Sequence, residues 1–146
     1  MNIDRLKYNI KNNLNKVDFA EFGSGVSDIW IRKAESRLNV SFPPSYIWWM
    51  KNYSGGEING EEVFSIYEID FDEVVGGDIV YINELNRKNG FTNKDQLVIQ
   101  ENDQGEIYYF NLKERNNDGE YPVYSDVTDL KYAENFLEFI SKKIDE

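Results

Sequence analysis

The stretch Phe42–Ile69 reads FPPSYIWWMKNYSGGEINGEEVFSIYEI, and within it the periodicity of the chain changes. Before the diglycine, Tyr46, Met50 and Tyr53 recur at intervals of three and four, which places them on one face of a helix. Pro44 suits a first helical position and Gly55 a left-handed C-terminal cap, so a helix of roughly three turns is predicted between them. Beyond the diglycine the residues alternate. Val63, Ser65, Tyr67 and Ile69 fall on one side and Phe64, Ile66 and Glu68 on the other, the pattern of a strand with two partly apolar faces. Trp48 and Trp49 are rotated by about 100° from each other on such a helix and cannot share a face. Trp49 borders the apolar stripe and is expected inside. Trp48 lies off it and is the candidate for a partner-facing aromatic.

Working outward, Ile3, Leu6, Ile10, Leu14 and Val17 predict an amphipathic first helix, followed by the turn-forming linker EFGSGVS. Ser27 stands as N-cap of a second helix with Ile31, Ala34 and Leu38 on one face, and NVSFPP ends it. Toward the C-terminus, DIVYINELNRKNG predicts a short helix with Asp78 as its N-cap. QLVIQ and EIYYFNL, joined by ENDQG, predict a β-hairpin, NNDGE a further turn, and YPVYSDV a further strand whose proline suits a strand start or an edge. Ala133, Phe136, Leu137, Ile140 and Ile144 trace a last helix that Asp129 could cap. Helices first, then strands, then one helix: the order argues for a single α+β domain over residues 1–146 with a mainly antiparallel sheet.

The chain of 146 residues is long enough to bury a core without staples. It contains no cysteine and no histidine, which removes disulfides, thiolate metal sites, cysteine nucleophiles and every Ser-His triad. No dinucleotide, P-loop or nucleophile-elbow motif occurs. ENDQGEIYYFNLKE departs from a calcium loop, because Ile, Tyr and Phe fill the ligand positions after its glycine. Asp72, Glu73 and Asp78 in FDEVVGGD could hold a hard cation, and a pair of carboxylates could serve a glycosidase, but no spacing singles out either arrangement. Asp4, Arg5 and Lys7 interrupt any early apolar run, and no stretch approaches the roughly 20 apolar residues that span a bilayer. A soluble cytoplasmic protein without cofactor or metal is the expectation.

The net charge of -11 is unevenly spread. Up to Gly60, eight Lys or Arg stand against six Asp or Glu; from Glu61 onward the counts are eight and twenty-one. Between Lys51 and Arg87 there is no basic residue, while Glu57, Glu61, Glu62, Glu68, Asp70, Asp72, Glu73, Asp78 and Glu84 all lie there. Such a surface repels nucleic acid, whose binding depends on neutralising phosphates, and attracts a basic protein. An acidic patch can also simply solvate loops and a sheet edge, although ordinary surfaces interleave the two signs.

The segment VSDIWIRKAESRLNVSFPPSYIWWMKNYSGGEINGEEVFSIYEID resembles the pattern of the SUKH superfamily, in which a glutamate-bearing helix leads through a leucine and a proline to a tyrosine-bearing helix and a small-residue turn. Ile31, Glu35, Leu38, Pro43, Tyr46, Tyr53, Gly55 and Gly56 fall on that pattern, and the order of later elements is similar to that of the Bacillus immunity members. Asn39 stands where the family usually has glycine, and Phe42 where a small or aliphatic residue precedes the proline. The resemblance implies a sheet of about six strands flanked by helices and a non-catalytic immunity protein that neutralises a secreted polymorphic toxin. Combined with the charge, the expectation is an antitoxin for the RNase domain of an LXG-type toxin. Trp48, Glu57, Glu61, Glu62, Glu68, Asp70, Asp72, Glu73 and Asp78 are the expected contacts to this basic toxin domain. A carbohydrate-binding or glycoside-processing protein using aromatic ledges and carboxylates is the rival from another class, and a regulatory scaffold for an endogenous partner is a third.

Overall fold

A computed structural model describes residues 2–146. The elements in chain order are α1 (Ile3–Lys11), β1 (Val17–Phe19), α2 (Asp28–Leu38), α3 (Pro44–Tyr53), β2 (Gly56–Ile58), β3 (Glu61–Val63), α4 (Ile79–Lys88), β4 (Gln96–Glu101), β5 (Ile107–Asn111), β6 (Val123–Ser125), β7 (Lys131–Ala133) and α5 (Phe136–Asp145). The class is α+β, as the order of periodicities implies. The strands form two antiparallel sheets, ordered β1-β2-β3 and β4-β5-β6-β7, rather than one of about six. They abut where Phe64 N donates to Ile99 O at 2.8 Å.

Three segments depart from the periodic reading. The first helix stops at Lys11, so Leu14 is exposed and Val17 begins β1. The strand expected from Glu61 to Ile69 keeps pairing only to Val63, after which the chain enters a loop. Ala133 belongs to β7, and α5 is capped by Asn135, whose side chain accepts from Glu138 N; Asp129 instead adopts a left-handed turn with φ of 54°. Short strands set by tertiary pairing carry too few residues for a period to register.

The motif residues show why the middle of the chain folds as it does. α2 ends at Asn39, which takes the left-handed conformation with φ of 53° that glycine most easily adopts and asparagine tolerates next best. Glu35 then accepts a hydrogen bond from Phe42 N at 2.8 Å, fixing the turn that feeds Pro44 into the first position of α3. Phe42 is buried with its ring edge-on to Tyr46. α3 closes one residue earlier than expected, at Ser54, which carries the positive φ of 66°.

Tyr46, Trp49, Met50 and Tyr53 are buried, with Tyr46 stacked on Trp49 and edge-on to Phe110 and Phe136. Tyr46 Oη donates to Phe64 O at 2.5 Å, tying α3 to the chain just after β3. α4 is fastened to β4 by Asn83, which is fully buried. It donates to Val98 O at 3.0 Å and accepts from Val98 N at 2.7 Å, as a neighbouring strand would. A bulge between Val98 and Gln100 leaves the carbonyls of both Val98 and Ile99 on this side, where Asn83 and Phe64 take them up.

Two loops repeat one design. Asn102-Asp103-Gln104-Gly105-Glu106 and Asn116-Asn117-Asp118-Gly119-Glu120 each use the Asn Oδ1 to accept from the backbone N–H groups two and four residues on. Gly105 and Gly119 supply the left-handed step at φ of 82° and 81°. The closing glutamates dock on different serines, Glu106 on Ser125 and Glu120 on Ser45, each through an Oγ–H donor at 2.5 Å.

Candidate partner-binding surface

Residues 66–77 form a loop whose ends are held side by side. Ser65 and Asp78 make an isolated parallel bridge, in which Ile79 N donates to Ser65 O at 2.7 Å. Asp70 shapes the tip: its side chain accepts from Asp72 N at 2.9 Å and its carbonyl from Glu73 N and Val74 N. Val74 is buried and roots the loop in the interior. Glu68, Asp70, Asp72 and Glu73 project outward, interleaved with Tyr67, Ile69 and Val75, which are 37, 48 and 64% exposed. Charged groups alternating with exposed apolar ones on a compact loop are the makings of a protein-binding surface. Tyr67 and Ile69 were not anticipated as surface contacts, since they fell on one face of the expected strand, and Val75 lies beyond it.

Beside the loop, strand register lines up three carboxylates. Asp18 of β1 stands opposite Glu57 of β2, and Glu57 opposite Glu62 of β3. Like charges directly opposite each other destabilise a sheet. Asp18 went unrecognised as part of the acidic face because its neighbourhood appears only once β1 pairs with β2. Glu62 is partly restrained: Tyr67 Oη donates to its carboxylate and accepts from Gly77 N at 3.0 Å. Burial and the Glu62 contact push the Tyr67 phenol well above its ordinary pKa, so it remains a donor. Gly77 lets the Glu62 carboxylate pack against the backbone, since a Cβ there would lie 2.2 Å from Glu62 Oε1 and would have to push that side chain aside. A shallow groove of about 390 Å³ runs between the diglycine and the loop, lined by Gly55, Gly56, Glu62, Tyr67, Glu68 and Ile69.

The structure does not assemble all nine expected contacts into one patch. Asp78 is fully buried, and its carboxylate accepts from Val80 N, Tyr81 N and Tyr67 N. It is the cap of α4, as the sequence implied, and that duty removes it from any external surface. Glu61 points away from Glu62, as strand alternation demands, and lines a separate cavity with Gln100. Asp72 is answered by a cation the local sequence lacks: Arg37 of α2 donates to Asp72 at 2.9 Å and to both Glu84 oxygens at 2.8 and 3.1 Å. The exposed fork adds little stability by itself, but it ties the loop to α2 and α4. Ser27, expected to cap α2, turns its hydroxyl to Glu68 instead, at 3.2 Å. Trp49 is fully buried; Trp48 is half-buried, edge-on to Tyr53, which also meets Phe19 and Phe22. Trp48 therefore belongs to an aromatic cluster around Tyr53.

Among the described residues, no group of three or more acidic side chains is placed to hold a metal ion, and no helix is long and apolar enough to cross a membrane. What the surface can do is attract and hydrogen-bond cations while offering Tyr67, Ile69 and Val75 as apolar contact. No curated protein matches the chain. The profile of the family described as SMI1-KNR4 cell-wall (SUKH_6) matches residues 28–140, from the start of α2 to the middle of α5, and so spans the glutamate-proline-tyrosine motif, the acidic loop and strands β2 to β7. The chain belongs to the SUKH superfamily.

Proposed function

We propose that this protein is an immunity protein that works by binding, without chemistry of its own, and that its partner is a cognate basic toxin domain, the RNase domain of an LXG-type toxin, in the cytoplasm of the producing cell. The observation that carries the reading is the Asp18–Glu57–Glu62 row flanked by the loop of Glu68, Asp70 and Glu73. A sheet that sets like charges against each other gains most when a cationic surface covers it. A toxin that cleaves RNA must present cations to phosphate, and those cations are the natural complement. Exposed carboxylates would mainly speed association, and Tyr67, Ile69 and Val75 would slow dissociation once desolvated. Trp48 stays in the proposal as a flanking aromatic, and Glu61 and Asp72 as rim charges.

The experiment is calorimetric titration with the toxin domain encoded beside this gene, using wild type and a variant carrying Glu57→Gln, Glu62→Gln, Glu68→Gln, Asp70→Asn and Glu73→Gln. Expected is a loss of at least tenfold in affinity at low salt, narrowing as salt rises, with no fall in melting temperature. Equal affinity of the two proteins at low salt rejects this surface. A neighbouring toxin that wild type fails to bind rejects the role.

A further inference from the structure

A second concave site lies where the β2–β3 turn, the β4–β5 loop and the last turn of α5 meet. It is a cavity of about 350 Å³, within the size range of small-ligand pockets, and its walls include Glu61, Gln100, Asn102, Glu106, Lys143 and Glu146. Gln100 is the telling residue. Its side chain is buried, with 1% of the residue exposed; Nε2 donates to Glu61 O at 3.4 Å, and Oε1 has no partner at all. The bulge in β4 immediately precedes it, the kind of irregularity that re-aims a side chain next to a functional site. A buried amide oxygen without a donor is unfavourable unless something supplies one.

The charges around it say what that donor is. Glu106 is held ionised and in place by Ser125 Oγ at 2.5 Å, Asn102 Nδ2 at 3.0 Å and Tyr108 Oη at 3.2 Å. Lys143 is the resident cation, but it is engaged: Nζ sits 3.8 Å from the centre of the Tyr108 ring and 3.4 Å from Glu146 Oε2. Glu61 enters no ion pair among the described residues. Three carboxylates against one ammonium leave the cavity acidic, with acceptors in surplus and facing from different walls. An anion is excluded by that surplus. A planar guanidinium, with five N–H donors in a fixed fork and weaker hydration than an ammonium, matches dispersed acceptors best.

We propose that this cavity receives one alkyl guanidinium group, with the Glu61 carboxylate and, once the Gln100 amide rotates toward the cavity, Gln100 Oε1 as its acceptors. The inference stands apart from the toxin-binding reading, because its cavity includes none of the five residues substituted in that test and no toxin enters its assay. The same chemistry can come from a free alkyl guanidine or from an arginine side chain on a protein. Full-length protein is titrated with ethylguanidinium, with agmatine and with a blocked Gly-Arg-Gly tripeptide, following the side-chain amide resonances of Gln100, Asn102 and Gln104. Saturable shifts confined to these amides are expected. Tighter binding of agmatine assigns a free ligand, and tighter binding of the tripeptide assigns a protein side chain. Gln100→Met should weaken binding at least tenfold while raising the melting temperature, since it removes the unpartnered acceptor. Glu61→Gln, at a half-exposed position that tolerates the change, should weaken it several-fold and decides the matter if Gln100→Met does not fold. Absence of saturable shifts with all three probes, or equal binding of ethylammonium, overturns the proposal.

Discussion

The aromatic helix and the acidic loop are separated by little more than the short β2–β3 hairpin, yet they solve opposite problems. In α3, Tyr46, Trp49 and Met50 are fully buried; of the two polar groups they bring inside, the Tyr46 hydroxyl is spent on Phe64 O and Trp49 Nε1 has no partner. In the loop that follows β3, charged groups and large apolar ones face water together, and across β1, β2 and β3 carboxylates oppose carboxylates. The first region is built for the stability of the isolated chain. The second gives up some of that stability by leaving like charges opposed and apolar side chains in water.

The contrast can be broken first at the tryptophans. Trp49→Ala should destabilise the protein by about 3–5 kcal/mol, the range for removing a large buried aromatic, whereas Trp48→Ala at its half-buried position should cost under about 2 kcal/mol. Urea unfolding of the two variants checks this; equal losses would mean that the two faces of α3 are not distinct. Within the acidic stretch the same division recurs between Asp78 and Asp72. Asp78→Ala strips an N-cap and leaves buried backbone N–H groups unpaired, an expected loss of about 2–4 kcal/mol. Asp72→Ala removes one limb of an exposed ion pair and should change stability by less than about 1 kcal/mol. The smallest effect carries the opposite sign. Glu57→Gln relieves repulsion from both Asp18 and Glu62 and should stabilise the free protein by a few tenths of a kcal/mol, up to about 1 kcal/mol. The gain should shrink as salt is added. A loss of stability at low salt would show that the row is not under repulsion.

Much of the fold could be read from the chain. α2 and α3 declared themselves by spacing and punctuation, α4 by its Asp78 cap and closing glycine, α5 by its apolar spacing although its cap is Asn135 rather than Asp129, and the β4–β5 hairpin by its alternation and its Asn-Asp-Gly turn. β1, β2 and β7 did not, because each has three residues and owes its existence to a partner strand rather than to its own pattern. The candidate surface was legible in its chemistry but not in its membership. Charge counting identified the acidic stretch, yet could not show that Asp78 turns inward as a cap, that Arg37 reaches in from α2, or that Asp18 joins Glu57 and Glu62 through pairing. The cavity at Gln100 left no trace in the sequence, since its walls come from three separate segments.

The paired Asn-x-x-Gly-Glu loops have a consequence for how the molecule can change. In each, the backbone groups of the tight turn are satisfied by the first asparagine, the direction of the chain is set by the glycine, and the final glutamate is bolted to a serine elsewhere in the domain. The two residues at each summit, Asp103 with Gln104 and Asn117 with Asp118, lend only their backbones to this closure. Apart from Gln104, which borders the cavity at Gln100, their side chains are interchangeable lettering on a rigid frame, open to change without loosening the scaffold beneath.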